Sequence, residues 1–154
     1  MTNRSRSEFN PATRRKARHY ALQALYQWQI SRNPLSEIET QFRSQYDFSG
    51  TDADFFRTLL HEIPALVGEL EQQFGASLDR AVDELDPIEL NLLRMGTYEL
   101  AHRIDVPFKV VINEYVALAK KFGATDSHKY INGVLDKLAL RLRQIEVNAA
   151  RQRR

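Results

Sequence analysis

A cluster of cations near the amino terminus is the first group of residues that could do chemistry. It places four positive charges within five positions: Arg14, Arg15, Lys16 and Arg18. The dipeptide Asn10-Pro11 predicts that a helix starts just before them, so the cations fall in its first turns. Positive charge there opposes the helix dipole unless an anion compensates, and a nucleic-acid phosphate backbone would be such an anion. The cluster favours nucleic-acid binding, with a solvated basic face as the alternative.

The same predicted helix carries two faces that need not meet solvent. One stripe with helical spacing predicts a core face: Ala17, Ala21, Ala24, Leu25 and Trp28. A second stripe runs nearly opposite: Arg15, His19, Leu22, Tyr26 and Ile30. Tyr26 beside an arginine and a histidine could stack an unpaired RNA base, although an aromatic residue at helical spacing more often belongs to a core. The second stripe therefore indicates either a helix buried on both sides or a face, including His19, Leu22 and Tyr26, that contacts a partner.

A third candidate lies where two predicted helices meet. One helix ends at Gly123 and the next begins at Asp126-Ser127, so backbone N–H groups lie near a hydroxyl, a histidine and lysines. This arrangement can bind an anion, and its candidate residues are Lys121, Asp126, Ser127, His128 and Lys129. The alternative is a helix–helix joint in which lysines only complement the dipole of the helix that ends there.

Residue patterns typical of enzymes are missing from the sequence. It has no nucleophile elbow, phosphate-binding loop, dinucleotide fingerprint or zinc-protease motif, and no cysteine. Its four histidines are far apart, which argues against a metal site. Glu84, Asp86 and Glu89 could do acid–base work, but their place at a predicted helix start explains them as capping residues. We expect no catalytic residues, no metal and no cofactor, and a hydrolase using these carboxylates is a minor alternative.

Length and charge bound the remaining possibilities. The 154 residues are 43% hydrophobic and 10% aromatic, enough for one domain or two small halves. The net charge of +2 combines +5 over residues 1–19, −8 over residues 20–136 and +5 over residues 137–154. Basic ends around an acidic body suggest a local site for a polyanion. No apolar run is long enough to span a membrane, and the polar, Arg-rich amino-terminal segment lacks the apolar region of a secretory signal peptide. We therefore expect a soluble, cytoplasmic protein.

Capping residues and apolar periodicity predict an all-α chain of six or seven helices. They begin near Pro11, Pro34, Asp52, Asp86, Pro107 and Asp126. Pro64 predicts a kink or a break in the third helix. A turn near Gly75 suggests a joint within a binding domain of residues 1–145, between halves of about 11–74 and 77–145. The remaining residues 146–154 are predicted to be a basic, disordered tail.

Two regions of the sequence carry a resemblance to a known family. They read ARHYALQALYQW over residues 17–28, and DVPFKVVINEY over 105–115 followed by AKKFGATDSHKYINGVLDKL over 119–138. Over about residues 12–140 the chain resembles the NusB family of bacterial transcription antitermination factors, in its standalone form. The pattern F-G-x-x-D-S-x-x-[FY]-[IV]-N-G-[VI]-L-D is highly specific.

The resemblance implies an all-α fold of two packed three-helix halves and no enzymatic activity. It implies binding to the boxA element of nascent RNA together with the ribosomal protein NusE, in a complex that helps RNA polymerase read through terminators in ribosomal RNA operons. By position, it assigns the basic start, Tyr26 and residues 126–129 to RNA, and Glu89 to a surface for RNA and the partner. The chain departs from the family at Pro64, in a helix that is usually continuous, and in a longer basic tail after Leu140.

Two alternatives stay open at this level. The chain could be a protein-interaction module of ribosome assembly that has no RNA affinity of its own. The free protein could be a monomer, or a homodimer in which the first helix buries Tyr26.

Overall fold

The structure is a computed structural model that describes residues 10–153. The chain divides into two compact units, one ending at Ala65 and the other beginning at Leu66, which is earlier than the joint expected near Gly75. Within the described residues there are eight α-helices and no strand, which confirms the all-α fold class and exceeds the expected number of helices by one.

The first unit contains three helices, α1 (Pro11–Ser31), α2 (Leu35–Gln45) and α3 (Ala53–Ala65). The Asn10 side chain accepts a hydrogen bond from the Ala12 N–H at 2.9 Å, as the predicted cap requires. Helix α1 packs against both other helices and buries most of its predicted core stripe. The buried residues of that stripe and those of α3 are Ala17, Ala21, Ala24, Leu25, Phe55, Phe56, Leu59, Leu60 and Ile63.

Pro64 ends helix α3, which confirms the break predicted at this position. The helix stops at Ala65, one residue after the proline, and Leu66 has φ −114° and ψ 13°. A new helix, α4 (Val67–Gly75), begins at the next residue. Proline has no N–H to continue the helical hydrogen-bond ladder, and its ring crowds the preceding turn.

The second unit is built around α5 (Pro87–His102). It also contains α4, a 3₁₀ turn (Val82–Glu84), α6 (Phe108–Phe122), α7 (Ser127–Leu142) and α8 (Gln144–Gln152). Helix α5 packs against α4, α6 and α7, and every residue from 91 to 100 is buried. The buried Tyr115 hydroxyl of α6 donates a hydrogen bond to the Glu99 carboxylate of α5. The Asp86 side chain accepts a hydrogen bond from the Glu89 N–H at 2.8 Å and caps α5 as predicted.

The segment expected to be a disordered tail instead forms most of α8. Arg143 anchors its start, because the guanidinium donates to Leu100 O at 2.7 Å and to Arg103 O at 2.9 Å at the end of α5. Val147 is buried, and the Glu146 carboxylate accepts a hydrogen bond from the Phe108 N–H at 2.8 Å. These partners lie about 40 residues away in sequence, so local composition alone suggested only a polar tail.

Candidate nucleic-acid interface

The four predicted cations at the start of α1 separate into two pairs. Arg14 and Arg18 turn inward, with guanidinium carbons 4.6 Å and 5.1 Å from the centre of the Phe55 ring. Arg14 Nε also lies 3.6 Å from Asp52 Oδ2, and Arg18 is only 2% exposed. Arg15 and Lys16 are exposed. The inward pair therefore packs α1 against α3 through cation–π contacts, and the outward pair presents charge to solvent.

Lys16 extends over the loop that joins α2 and α3. A Cβ atom built on Gly50 would lie 3.1 Å from Lys16 Nζ. In the same loop, the Asp47 carboxyl accepts a hydrogen bond from the Ser49 N–H at 2.9 Å, which lowers its pKa, and Lys16 lowers that pKa further. The exposed charge at the start of α1 is thus mixed, with a carboxylate beside the lysine.

The second stripe of α1 is neither wholly buried nor wholly exposed. Leu22 is 1% exposed and belongs to the core of its unit, so its side chain cannot contact a partner in this conformation. His19 is half-buried, and its ring meets Tyr20 edge-on at 5.6 Å. Tyr26 and Ile30 are 40% and 64% exposed. The parts of this stripe available to a ligand or partner are therefore Arg15 at its amino end and Tyr26 and Ile30 at its carboxyl end.

The first unit also contains an aromatic group that residue spacing did not single out. The rings of Tyr20 and Phe48 stack at 5.0 Å with an angle of 12°, and Tyr46 lies 5.2 Å from Tyr20. Tyr46 is exposed. The three residues come from α1 and from the loop after α2, so no periodicity within one helix connects them.

In the second unit, the predicted anion site at the start of α7 is partly occupied by the protein itself. Ser127 Oγ donates a hydrogen bond to Glu89 Oε2 at 3.0 Å, and both side chains are buried. Asp126 has φ 71° and makes no capping hydrogen bond, contrary to expectation, while its Oδ1 lies 3.3 Å from Lys129 Nζ. Lys121 and Lys129 are exposed and His128 is half-buried. Ser127 and Glu89 thus join α7 to α5, and the neighbouring cations face outward.

Gly123 is required where α6 turns into α7. Its backbone has φ −86° and ψ 170°, which any residue can adopt, so conformation is not the reason. A Cβ atom there would lie 2.7 Å from Ala119 O and 3.0 Å from Ser127 Cβ. The close approach of the two helix ends excludes a side chain at this position.

A further pair in the second unit joins an arginine to an aromatic ring near these cations. The Arg80 guanidinium lies 4.2 Å from the centre of the Tyr130 ring, and its Nε donates to Asp79 Oδ1 at 2.9 Å. Burial raises the pKa of the Tyr130 hydroxyl. The contact between Arg80 and Tyr130 therefore joins the loop after α4 to the first turn of α7.

The three carboxylates considered for acid–base chemistry have structural partners. Asp86 caps α5, Glu84 accepts a hydrogen bond from the Ala81 N–H at 3.3 Å, and Glu89 accepts one from Ser127. Over residues 10–153, no group of three or more potential ligand side chains could hold a metal ion. No helix in that range is both long enough and apolar enough to cross a membrane.

Comparison with known proteins places these features in a family. The sequence model of the NusB family matches residues 15–140. A protein of Pseudomonas fluorescens (strain Pf-5) named Transcription antitermination protein NusB is 55% identical over 138 residues, which cover 90% of this chain and 83% of the relative. A protein of the same name from Teredinibacter turnerae is 53% identical over 141 residues, which cover 91% and 96%.

The fold agrees with a solved structure. NusB of T. maritima matches with a TM-score of 0.72 and 27% sequence identity, over 81% of this chain and 89% of that one. The family match covers most of the chain, and it includes α1 from Arg15 onward and the junction of α6 with α7. The chain therefore belongs to the NusB family.

Proposed function

We propose that this protein is a transcription antitermination factor that binds boxA RNA together with ribosomal protein NusE and helps RNA polymerase read through terminators in ribosomal RNA operons. The observation that carries the proposal is an exposed cation pair, Arg15 and Lys16, at the start of α1 in a chain whose relatives are named as antitermination proteins. That named role is regulatory, so membership of the family supports a protein that is not an enzyme. A factor acting on transcribing polymerase belongs in the cytoplasm.

In this proposal Arg15 and Lys16 contact RNA phosphates, and Lys121 and Lys129 form a second cationic set, with His128 as a hydrogen-bonding group beside them. Arg14 and Arg18 act indirectly, because their contacts with Phe55 hold the first turns of α1 in place. Ser127 and Glu89 act in the same indirect way by joining α7 to α5, with Asp126 orienting Lys129. Counterion release from the phosphates contacted would supply much of the affinity and make it sensitive to salt.

Tyr26 is the proposed aromatic contact, either for an unpaired base or for the partner protein. It is exposed, as stacking on a base requires, and the neighbouring Ile30 enlarges the apolar surface. His19 and Tyr26 belong to the proposed NusE surface, and Leu22 is left out because it is buried. In the free protein the same face is available for a homodimer, so we propose a monomer that can pair through it.

Fluorescence anisotropy with a labelled boxA RNA tests the proposal. We expect salt-sensitive binding that exceeds the binding of a scrambled RNA and that becomes tighter when NusE is added. Measurements at two salt concentrations separate the electrostatic part from base recognition. Equal binding of boxA and scrambled RNA, with and without NusE, would contradict the proposal.

A second candidate function is a protein-interaction module that has no RNA affinity of its own. It is favoured by the inward orientation of Arg14 and Arg18, which reduces the basic surface to half of what the sequence suggested. In that case the isolated chain would not bind RNA, and only its complex with the partner would do so. The same anisotropy experiment separates the two functions.

A further inference from the structure

A cavity in the second unit, where α6, α7 and α8 meet, is separate from the interface proposed above. Its volume is about 410 Å³, within the range of about 300–1,000 Å³ that is typical of small-molecule sites. The polar residues that line it are Lys109, Asn113, Asn132, Asp136 and Arg151. One of its walls is α8, which lies beyond the residues that the family pattern matches. Its α6 and α7 walls lie within the residues that the family model matches, and its α8 wall lies outside them.

The lining residues converge because of their spacing along each helix. Lys109 and Asn113 are four residues apart on α6, and Asn132 and Asp136 are four residues apart on α7. Residues at this spacing lie on the same face of a helix. The two faces meet across the cavity, and Arg151 of α8 lies on its third side.

Asp136, Asn113 and Asn132 are solvent-exposed side chains that line this cavity, and Asp136 is the carboxylate among the lining residues. It makes no hydrogen bond or ion pair with any residue that the structure describes, and burial raises the pKa of its carboxyl. The amides of Asn113 and Asn132 likewise have no hydrogen-bond partner within residues 10–153. A carboxylate and two amides that line a cavity without protein partners in the described range are available to hydrogen-bond a ligand.

The rest of the cavity surface is apolar on its walls and basic at its edge. The buried side chains of Ile112 and Val147 provide apolar walls, and Lys109 and Arg151 are exposed. A second cavity of about 300 Å³ also contacts Lys109 and adds Arg153. A ligand that fits must therefore offer hydrogen-bond donors to a carboxylate, a flat or apolar body, and a negative group.

We propose that this cavity binds a guanosine 5′-phosphate group, either as a free nucleotide or within single-stranded RNA. Guanine presents two adjacent donors, N1–H and N2–H₂, which match the two oxygens of the Asp136 carboxylate. The Watson–Crick edges of adenine, cytosine and uracil lack this adjacent pair. The base lies against the apolar walls, the two asparagine amides are available to its remaining polar atoms, and the phosphate faces Lys109 and Arg151.

An NMR titration of the full ¹⁵N-labelled chain with guanosine 5′-monophosphate tests the proposal. We expect the side-chain amide signals of Asn113 and Asn132 to shift, and the affinity to exceed that for adenosine and uridine monophosphates by about tenfold or more. Equal affinity for the three nucleotides, or shifts confined to other residues, would overturn it. The proposal does not depend on Arg15 and Lys16, so the R15A/K16A variant should bind the nucleotide as the wild type does.

Two substitutions sharpen the test. Asp136→Asn replaces one carboxylate oxygen by an N–H₂ donor, so this variant should bind guanosine monophosphate at least about tenfold more weakly than the wild type does. Xanthosine monophosphate has a carbonyl where guanosine monophosphate has its amino group, so the variant should bind it more tightly than the wild type does. Asp83→Asn removes the same charge from an exposed position outside the cavity and should change neither affinity. Unchanged nucleotide preference in Asp136→Asn would refute the assignment of this carboxylate.

The source of the nucleotide is decided with a short oligouridylate carrying one guanosine, compared with the same oligonucleotide carrying inosine, which lacks the 2-amino group. In the R15A/K16A variant, which lacks the proposed RNA contacts of α1, tighter binding of the guanosine oligonucleotide than of both the free nucleotide and the inosine oligonucleotide assigns the site to RNA. Weaker or equal binding assigns it to the free nucleotide. Loss of discrimination between guanosine and inosine in both forms would overturn the proposed recognition.

Discussion

Replacing both Arg15 and Lys16 with alanine should weaken RNA binding and make it less dependent on salt. These are the two cations at the start of α1 that face solvent, whereas Arg14 pairs with Asp52 and Arg18 is buried against Phe55. For single-stranded nucleic acid, each phosphate contact contributes about 0.7 to the slope of log Kobs against log salt concentration. If both residues contact phosphates, the slope should become shallower by about 1.4.

The same relation gives the expected loss of affinity. Between a 1 M reference and a physiological ionic strength of about 0.15 M, a slope change of about 1.4 corresponds to a roughly tenfold change in Kobs. The variant should therefore bind boxA RNA roughly tenfold more weakly near physiological salt, and the difference should shrink as salt is raised. Fluorescence anisotropy over a series of salt concentrations measures both quantities.

A matched control removes the same charge elsewhere on the first unit. Arg43 and Arg57 lie 3.8 Å and 3.9 Å from the carboxylate of Glu39, between α2 and α3, and both are exposed. The R43A/R57A variant should keep the wild-type slope. If the two double variants lost affinity and slope equally, the effect would come from net charge, and the placement of RNA at the start of α1 would be refuted.

Three further predictions concern the second unit, and each is checked by denaturation of the folded protein. Gly123→Ala should lower the free energy of unfolding by about 1–3 kcal/mol, because the new Cβ would lie 2.7 Å from Ala119 O. The control is Gly133→Ala, at a helix position with open space around the Cβ, which should leave that free energy unchanged or raise it by up to about 1 kcal/mol. Equal changes in stability for the two variants would contradict the steric reason. Ser127→Ala should lower the free energy of unfolding measured by urea titration by about 1–3 kcal/mol, since the buried Glu89 carboxylate loses a hydrogen-bond donor. An unchanged free energy of unfolding would show that this hydrogen bond contributes little to stability. Burial raises the pKa of the Asp136 carboxyl, so its ionised form opposes folding at neutral pH, and this penalty disappears as the pH falls below 3.8, the pKa of the carboxyl in the unfolded chain. Asp136→Asn should therefore raise Tm near pH 7 more than near pH 3. A larger rise in Tm near pH 3 would contradict the direction of this pKa shift.

The local elements of the fold could be predicted because their signals are local. Asn10 and Asp86 cap their helices through hydrogen bonds to residues two or three positions away, and Pro64 ends α3 through its own ring and missing N–H. The candidate cations, the tyrosine on α1 and the junction of α6 with α7 were found in the same way, from residue type and spacing.

The orientation of the cations could not be predicted in this way. Arg14 and Arg18 are directed inward by Phe55 of α3 and by Asp52 just before it, which follow them by more than 30 positions. Leu22 and Tyr26 share one stripe of α1, yet one is buried and the other exposed. Which part of a stripe is covered depends on the crossing of helices, and helical periodicity contains no information about it.

The sequence by itself determined the all-α class, the helix caps at Asn10 and Asp86, and the family, because these caps, periodicity and a contiguous motif are properties of neighbouring residues. Tertiary structure decided which charges reach solvent, that residues 144–152 form α8, and that a cavity lies beside it. Arg143 anchors α8 to backbone carbonyls at the end of α5, and Asp136, Lys109 and Arg151 line one cavity only when three helices pack. Such contacts join residues far apart in the chain, so they exist only once the chain has folded.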